Sequence, residues 1–291
     1  MKSSYLTNLI LTIVIASLFW FNKQNTSPNE TANYLSDVNA QSINAITIKR
    51  VQRKEIKLLK QASGWKIVRP ITADGNHTRI RLLLSLVNTP IHSQLHDVDD
   101  ASLEKFGLKP INVSLQLNEQ LFTFGDIEPL SKRRYVLHNN SIYLIDDLIS
   151  PLLNANMASF IDNRLLSASE QITEIQLPQL INGELDAANP LTVTKIKDSW
   201  SSSPQSYSVE KLTALIASWQ QASALQVSHS TTTDDTGIYV LLWLNEQRTP
   251  VEFMIQLDNR NLFLTNNKKQ LRYQFPAAFA QQLLLPSVEK N

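Results

Sequence analysis

Apolar and polar residues alternate with a period of two along much of the chain, which is the pattern of strands that bury one face. In the first half this pattern predicts strands over residues 45–50, 65–68, 113–117, 121–124, 134–137 and 142–145. In the second half it predicts strands over 172–177, 191–197, 238–244, 251–257, 262–265 and 271–275. The short polar steps between neighbouring strands predict antiparallel hairpins.

Two segments have the helical period instead. Residues 77–88 follow Asn76, a suitable N-cap, and Ser208 precedes the second helix. The apolar stripes of these helices are Ile80, Leu83, Leu84 and Val87 in the first and Val209, Leu212, Ile216 and Trp219 in the second. Short helices are predicted at 149–154 and 277–285, the first capped by Asp146 and Asp147. Grouped strands with helices to one side predict an α+β fold.

Repeated segments in the sequence indicate an internal duplication. Leu117–Gln120 recurs unchanged as Leu244–Gln247, 127 residues further on, and residues 137–140 are echoed by 264–267 at the same offset. The order of strands and helices also agrees between the halves. We therefore expect two tandem repeats of antiparallel strands with a packing helix, the first over 42–166 and the second over 167–291.

The N-terminal segment is apolar enough to enter a bilayer. Residues 5–21 form a 17-residue stretch, at the short end of what spans a membrane. No small-residue cleavage site follows, so an uncleaved anchor over 1–21 is favoured over a cleaved signal peptide. Residues 22–41 are predicted to be a polar linker. Lys2 and Lys23 nearly balance the positive-inside rule, but a short tail before a large domain suits an inner-membrane, single-pass protein with its globular part in the periplasm.

Composition excludes several classes of function. Lys and Arg number 27 against 26 Asp and Glu, a net charge of +1, which argues against nucleic acid as a partner. The chain has no Cys and only six widely spaced Gly, so thiolate sites, dinucleotide loops, P-loops and the nucleophile elbow are absent. We expect no enzyme activity, no catalytic residues and no cofactor.

Two clusters carry candidate chemistry. His92 and His96 are four residues apart and precede several aspartates, which is a possible divalent metal site; the alternative is a polar strand edge running into an acidic loop. Residues 132–134, Lys-Arg-Arg, lie in a loop that is shorter in the second half. Three cations there could bind a phosphate headgroup or an acidic partner; the alternative is a solvated hairpin loop.

Four short segments carry a family resemblance. They are Trp65–Pro70, Phe106–Pro110, Phe124–Asp126 and Tyr135–Val136. In this order they resemble a bacterial domain-of-unknown-function family whose genes often neighbour gliding-motility-type ABC transporter genes. The resemblance implies a membrane-anchored extracytoplasmic accessory or scaffold protein, with a membrane protein such as an ABC permease as partner, and it supplies no catalytic residues. A periplasmic ligand- or polymer-binding protein and a hydrolase with an unrecognised site are the alternatives.

Overall fold

The computed structural model describes most of the chain after the predicted linker. The described residues are 33–96, 98–204, 207–231, 236–245 and 247–284, with Thr12, Val14, Ile15, Ser17 and Trp20 near the N-terminus. The predicted anchor over 1–21 and the linker up to residue 32 otherwise lie outside this set. Within it, no helix has both the length and the apolar character needed to cross a bilayer. The anchor remains a prediction.

The first sheet has nine strands. They are β1 Ala45–Arg50, β2 Ile56–Gln61, β3 Gly64–Arg69, β4 Ala73–Asp74, β5 Ile91–Leu95, β6 Val113–Leu117, β7 Gln120–Ile127, β8 Arg134–His138 and β9 Ser141–Ile145. Their order in the sheet is β4-β3-β2-β1-β6-β7-β8-β9-β5. Alternate residues such as Ile46, Ile48, Leu115 and Leu117 are fully buried, as the period of two predicts.

The second sheet has eight strands. They are β10 Ile172–Ile181, β11 Glu184–Ile196, β12 Ser199–Ser203, β13 Gln226–His229, β14 Ile238–Leu244, β15 Val251–Leu257, β16 Asn261–Asn266 and β17 Leu271–Pro276. Their order is β12-β11-β10-β14-β15-β16-β17-β13. The two strand orders can be compared by taking β10–β12 as the counterparts of β1–β3, and β13–β17 as the counterparts of β5–β9. The orders are then the same, apart from the extra strand β4 in the first sheet.

Between residues 33 and 284, the described helices are few and short. They are α1 His77–Leu84, α2 Asp100–Lys105, α3 Ser150–Leu153, α4 Val209–Gln221 and α5 Ala280–Leu283. Single 3-10 turns cover Ala40–Ser42, Ser85–Asn88, Met157–Phe160 and Ala277–Phe279. The α+β prediction therefore holds in a coarser form, as a β-rich, two-part fold of antiparallel sheets.

The helix starts follow the sequence in two cases and depart from it in a third. Asn76 Oδ1 accepts the Arg79 N–H at 3.1 Å, and Ser208 Oγ accepts the Lys211 N–H at 3.4 Å, so both predicted N-caps are confirmed. In contrast, α3 begins at Ser150 without a side-chain cap. The predicted capping by Asp146 and Asp147 is wrong, because both carboxylates bind other side chains.

The chain divides into two compact units that cut across the order of the sequence. Of the described residues, those within 1–42, 85–111 and 122–147 form the first unit, and those within 43–84, 112–121 and 148–291 form the second. In the first unit Leu108, Phe122 and Val136 are buried; in the second Trp219 is fully buried and donates its indole N–H to the Leu283 carbonyl at 2.8 Å. The bounds 42–166 and 167–291 of the two repeats remain predictions.

Candidate functional site

Residues 128–133, here called the basic loop, connect β7 to β8 and form an ordered turn. The Glu128 N–H donates to the Arg133 carbonyl at 2.7 Å. The Glu128 carboxylate accepts the N–H groups of Ser131 at 2.5 Å and Leu130 at 3.1 Å. Hydrogen bonds from Ser131 above all, and the bond from Leu130, hold the pKa of Glu128 below its usual value. The ionised carboxylate therefore fixes a turn whose tip, Leu130, is 92% exposed.

The second sheet has a shorter turn at the corresponding place. Three residues, 258–260, separate β15 from β16, whereas six separate β7 from β8. Asp258 fixes that turn through its carboxylate, which accepts the N–H groups of Arg260 at 2.7 Å and Asn261 at 2.6 Å. The basic loop is thus the longer version of a turn that both sheets share.

The three predicted cations differ in what they bind. Arg133 Nε lies 3.1 Å from Asp146 Oδ1. Arg134 Nε donates to Asp147 Oδ2 at 2.7 Å, and both of these side chains are mostly buried. Lys132 has a left-handed backbone (φ 62°) and makes no ion pair with any described residue. Among the predicted residues 132–134, Lys132 is therefore the cation left for a partner or headgroup, and that binding role remains a prediction.

The two predicted clusters meet at one carboxylate. His92, on β5, places Nε2 3.1 Å from Asp146 Oδ2, while Arg133 binds the other oxygen. These contacts, that of His92 first, hold the pKa of Asp146 below its usual value. The two ion pairs of Asp146 connect Arg133, at the end of the basic loop, to His92 on β5.

The imidazoles of His92 and His96 bind different partners. His96 Nδ1 lies 3.3 Å from Ser141 Oγ and 3.4 Å from Gln94 Nε2, so the two imidazoles have different surroundings. Within the described ranges, which omit Asp97, no three His or acidic side chains come together as a metal site would require. A metal at His92 and His96 remains a prediction from their spacing alone.

Three of the four segments that carry the family resemblance, Phe106–Pro110, Phe124–Asp126 and Tyr135–Val136, pack against each other beside the basic loop, whereas Trp65–Pro70 belongs to the second unit. A Cβ on Gly125 would lie 2.2 Å from the Phe106 carbonyl oxygen, and the Asp126 N–H donates to that oxygen at 2.8 Å. Gly107, with φ of 68°, provides the turn that ends α2. The rings of Phe106 and Tyr135 lie 4.4 Å apart. These motif residues hold the first unit together, which is a structural role.

The second unit contains a polar cavity that sequence reasoning missed. Its volume is about 180 Å³, and its wall includes Trp65, Tyr273 and several charged side chains. Lys66 pairs with Asp74 there, and Arg164 pairs with Asp162 through Nη2 and Oδ2 at 2.5 Å. No local motif could have revealed the cavity, because its residues come from separate parts of the chain, including β3, β4, the segment after α3, the turn before β17 and β17 itself.

Comparison with known proteins gives one match. A family model described as "Domain of unknown function (DUF4340)" matches residues 65–239. The matched span begins at the tryptophan of β3 and includes all the motif segments described above. No curated protein and no solved structure matches the chain.

Proposed function

The chain belongs to the DUF4340 family, whose members share a domain without an assigned activity, and from this premise we propose that it acts by contacting a protein partner. The observation that carries the proposal is Leu130, a large apolar side chain that is 92% exposed at the tip of an ordered turn. Covering such a side chain is favourable because apolar surface leaves water. A turn that is already fixed loses little conformational freedom when it is bound.

The basic loop has the further parts that a docking element needs. Lys132 lies two residues from Leu130 and makes no ion pair with a described residue, although its charge interacts with the Glu128 carboxylate. The matching partner surface on this proposal is an apolar pocket with an acidic edge. The Arg133–Asp146 pair at 3.1 Å holds one end of the loop in place. The shorter turn at 258–260 contains no leucine, so the proposed contact involves the loop of the first half only.

The location of this contact is argued from the sequence. The apolar stretch over 5–21 supports an inner-membrane anchor with the globular part in the periplasm, and the resemblance supports an accessory or scaffold role in an ABC-type transporter complex. The partner on this reading is a membrane protein such as an ABC permease. A non-catalytic role is consistent with the absence of Cys and of glycine-rich loops.

Co-purification tests the proposal. The full-length tagged chain is extracted from its native membranes as wild type, Leu130→Ala and Lys132→Gln. Burying a leucine is worth about 1.5–3 kcal/mol, so Leu130→Ala is expected to reduce partner recovery by about tenfold or more. Leu225→Ala is the matched control, since Leu225 is also highly exposed (73%), and Arg260→Gln is the control for the charge.

Two results would contradict the proposal. One is equal recovery of the same proteins from wild type and Leu130→Ala. The other is a loss of binding to vesicles of anionic lipid in Leu130→Ala and Lys132→Gln with no change in co-purifying protein, which would make the loop a headgroup-binding element instead.

A further inference from the structure

The cavity in the second unit is lined by His77, three acidic side chains and three Lys or Arg side chains, and four of the last six form ion pairs with each other. Lys66 and Asp74 form one ion pair, and Arg164 and Asp162 form the other. The Asp162 N–H also donates to the Asp74 carbonyl at 2.8 Å, which joins the backbones that carry the two pairs. These charges stabilise the cavity and are already satisfied.

The remaining two charges have no partner of opposite sign among the residues described. Glu170 accepts the Ser167 N–H at 2.7 Å through one carboxylate oxygen and makes no ion pair. Lys269 likewise makes no ion pair, and its backbone is fixed because its N–H donates to the buried Asn266 Oδ1 at 2.8 Å. The cavity therefore presents one uncommitted carboxylate and one uncommitted ammonium group.

A tyrosine hydroxyl lies in the same wall. Tyr273 as a residue is only 4% exposed, but its hydroxyl oxygen is not among the fully buried polar atoms and makes no hydrogen bond within the described part of the chain. The hydroxyl is therefore accessible to a ligand in the cavity. Burial first, and then the carboxylates of Asp74, Asp162 and Glu170, keep the pKa of Tyr273 above its usual value, so the hydroxyl is protonated and can both donate and accept.

We propose that this cavity binds a small zwitterion, such as a small α-amino acid, with its ammonium group at Glu170, its carboxylate at Lys269 and a hydrogen bond to the Tyr273 hydroxyl. Apart from His77, the charged side chains of the wall sum to zero, which matches a ligand that carries one charge of each sign. The volume of about 180 Å³ is several times the roughly 30 Å³ that one water occupies in the liquid.

L-Alanine is the probe, with two molecules of nearly the same shape as comparisons. L-Lactate lacks the ammonium group and L-alaninamide lacks the carboxylate. The full chain, purified in detergent with ¹³Cζ-labelled tyrosine, is titrated with each, and the Tyr273 resonance is assigned from its loss in Tyr273→Phe. Alanine is expected to shift this resonance saturably, at concentrations at least tenfold lower than either comparison molecule requires.

Matched variants assign the contacts. Glu170→Gln and Lys269→Gln are each expected to weaken alanine binding about tenfold or more. Lys268→Gln and Glu184→Gln remove the same charges from exposed positions outside the cavity wall and should leave binding unchanged. Three outcomes would overturn the proposal: no saturable shift with alanine, lactate or alaninamide binding as tightly as alanine, or equal effects of the cavity variants and their controls.

Discussion

Asn118 and Asn245 occupy corresponding turns of the two sheets and make the same pair of hydrogen bonds. The Asn118 N–H donates to the Ala45 carbonyl at 2.9 Å, and its Oδ1 accepts the Ala45 N–H at 3.0 Å. The Asn245 N–H donates to the Gln171 carbonyl at 2.9 Å, and its Oδ1 accepts the Gln171 N–H at 2.8 Å. Both residues have positive φ, 52° and 48°. The asparagine of the repeated tetrapeptide thus binds the backbone at the start of β1 in the first sheet and of β10 in the second.

This correspondence predicts equal effects of the same substitution in both repeats. Asn118→Ala and Asn245→Ala should each lower the free energy of unfolding by about 1–3 kcal/mol, because backbone groups lose a partner and Ala is strained at positive φ. Urea unfolding of the full chain in detergent measures this. Asn182→Ala is the control, since Asn182 has φ of 50° in a turn without these side-chain bonds. Equal losses in all three variants would show that the side-chain bonds contribute nothing.

The second repeated segment, 137–140 and 264–267, does not have the same structure in both halves. Asn139 and Asn140 both have positive φ and form a two-residue turn, as their sequence predicts. Their counterparts do not, because Asn266 is buried at the end of β16 and the turn continues to Gln270. A pair of residues repeated at the same spacing therefore predicts a hairpin in both halves. Which residues form the turn depends on how the strands pair.

The candidate site was only partly readable from the sequence for the same reason. The longer loop at 128–133 follows from a comparison of the two halves. The ion pairs that hold this loop do not follow from that comparison, because His92 comes close to Asp146 only through the pairing of β5 with β9. The two charge pairs of the cavity are each local, since Lys66 is eight residues from Asp74 and Arg164 is two residues from Asp162. The sequence does not show that the two pairs lie together in one cavity wall.

Gly125 is expected to be among the most sensitive positions in the first unit. Gly125→Ala would put a Cβ 2.2 Å from the Phe106 carbonyl oxygen, a backbone atom, and should lower the free energy of unfolding by about 3 kcal/mol or more. Gly183→Ala is the control, because Gly183 has positive φ but no atom within 4 Å of the added Cβ, and it should cost only about 1 kcal/mol. Thermal or urea unfolding distinguishes them, and comparable losses would refute the close approach.

The contacts of Asp146 predict an acid-dependent loss of stability. Its folded pKa is depressed, so the carboxylate stabilises the fold above the unfolded pKa of about 3.9, and this stabilisation is lost as the pH falls through the folded pKa. The side chain is 56% exposed, so screening limits the contribution to less than about 1 kcal/mol.

A carboxyl NMR titration checks these contacts directly. His92→Ala should raise the pKa of Asp146 more than Arg133→Gln does, because the His92 contact is the larger cause. Lys132→Gln is the control and should leave that pKa in place, since Lys132 does not contact Asp146. An unchanged pKa in both of the first two variants would mean that these contacts do not form in solution.

Site-specific crosslinking at position 130 tests the central claim, that the basic loop contacts a protein partner. A photoreactive amino acid replaces Leu130 in one full-length chain and Leu225, which is also highly exposed, in another, and both are irradiated in native membranes. Substitution at such exposed positions should change the free energy of unfolding by no more than about 0.5 kcal/mol. We expect a discrete protein adduct from position 130 and none from position 225. Irradiation that yields no protein adduct at 130, or the same adducts at both positions, would contradict the claim.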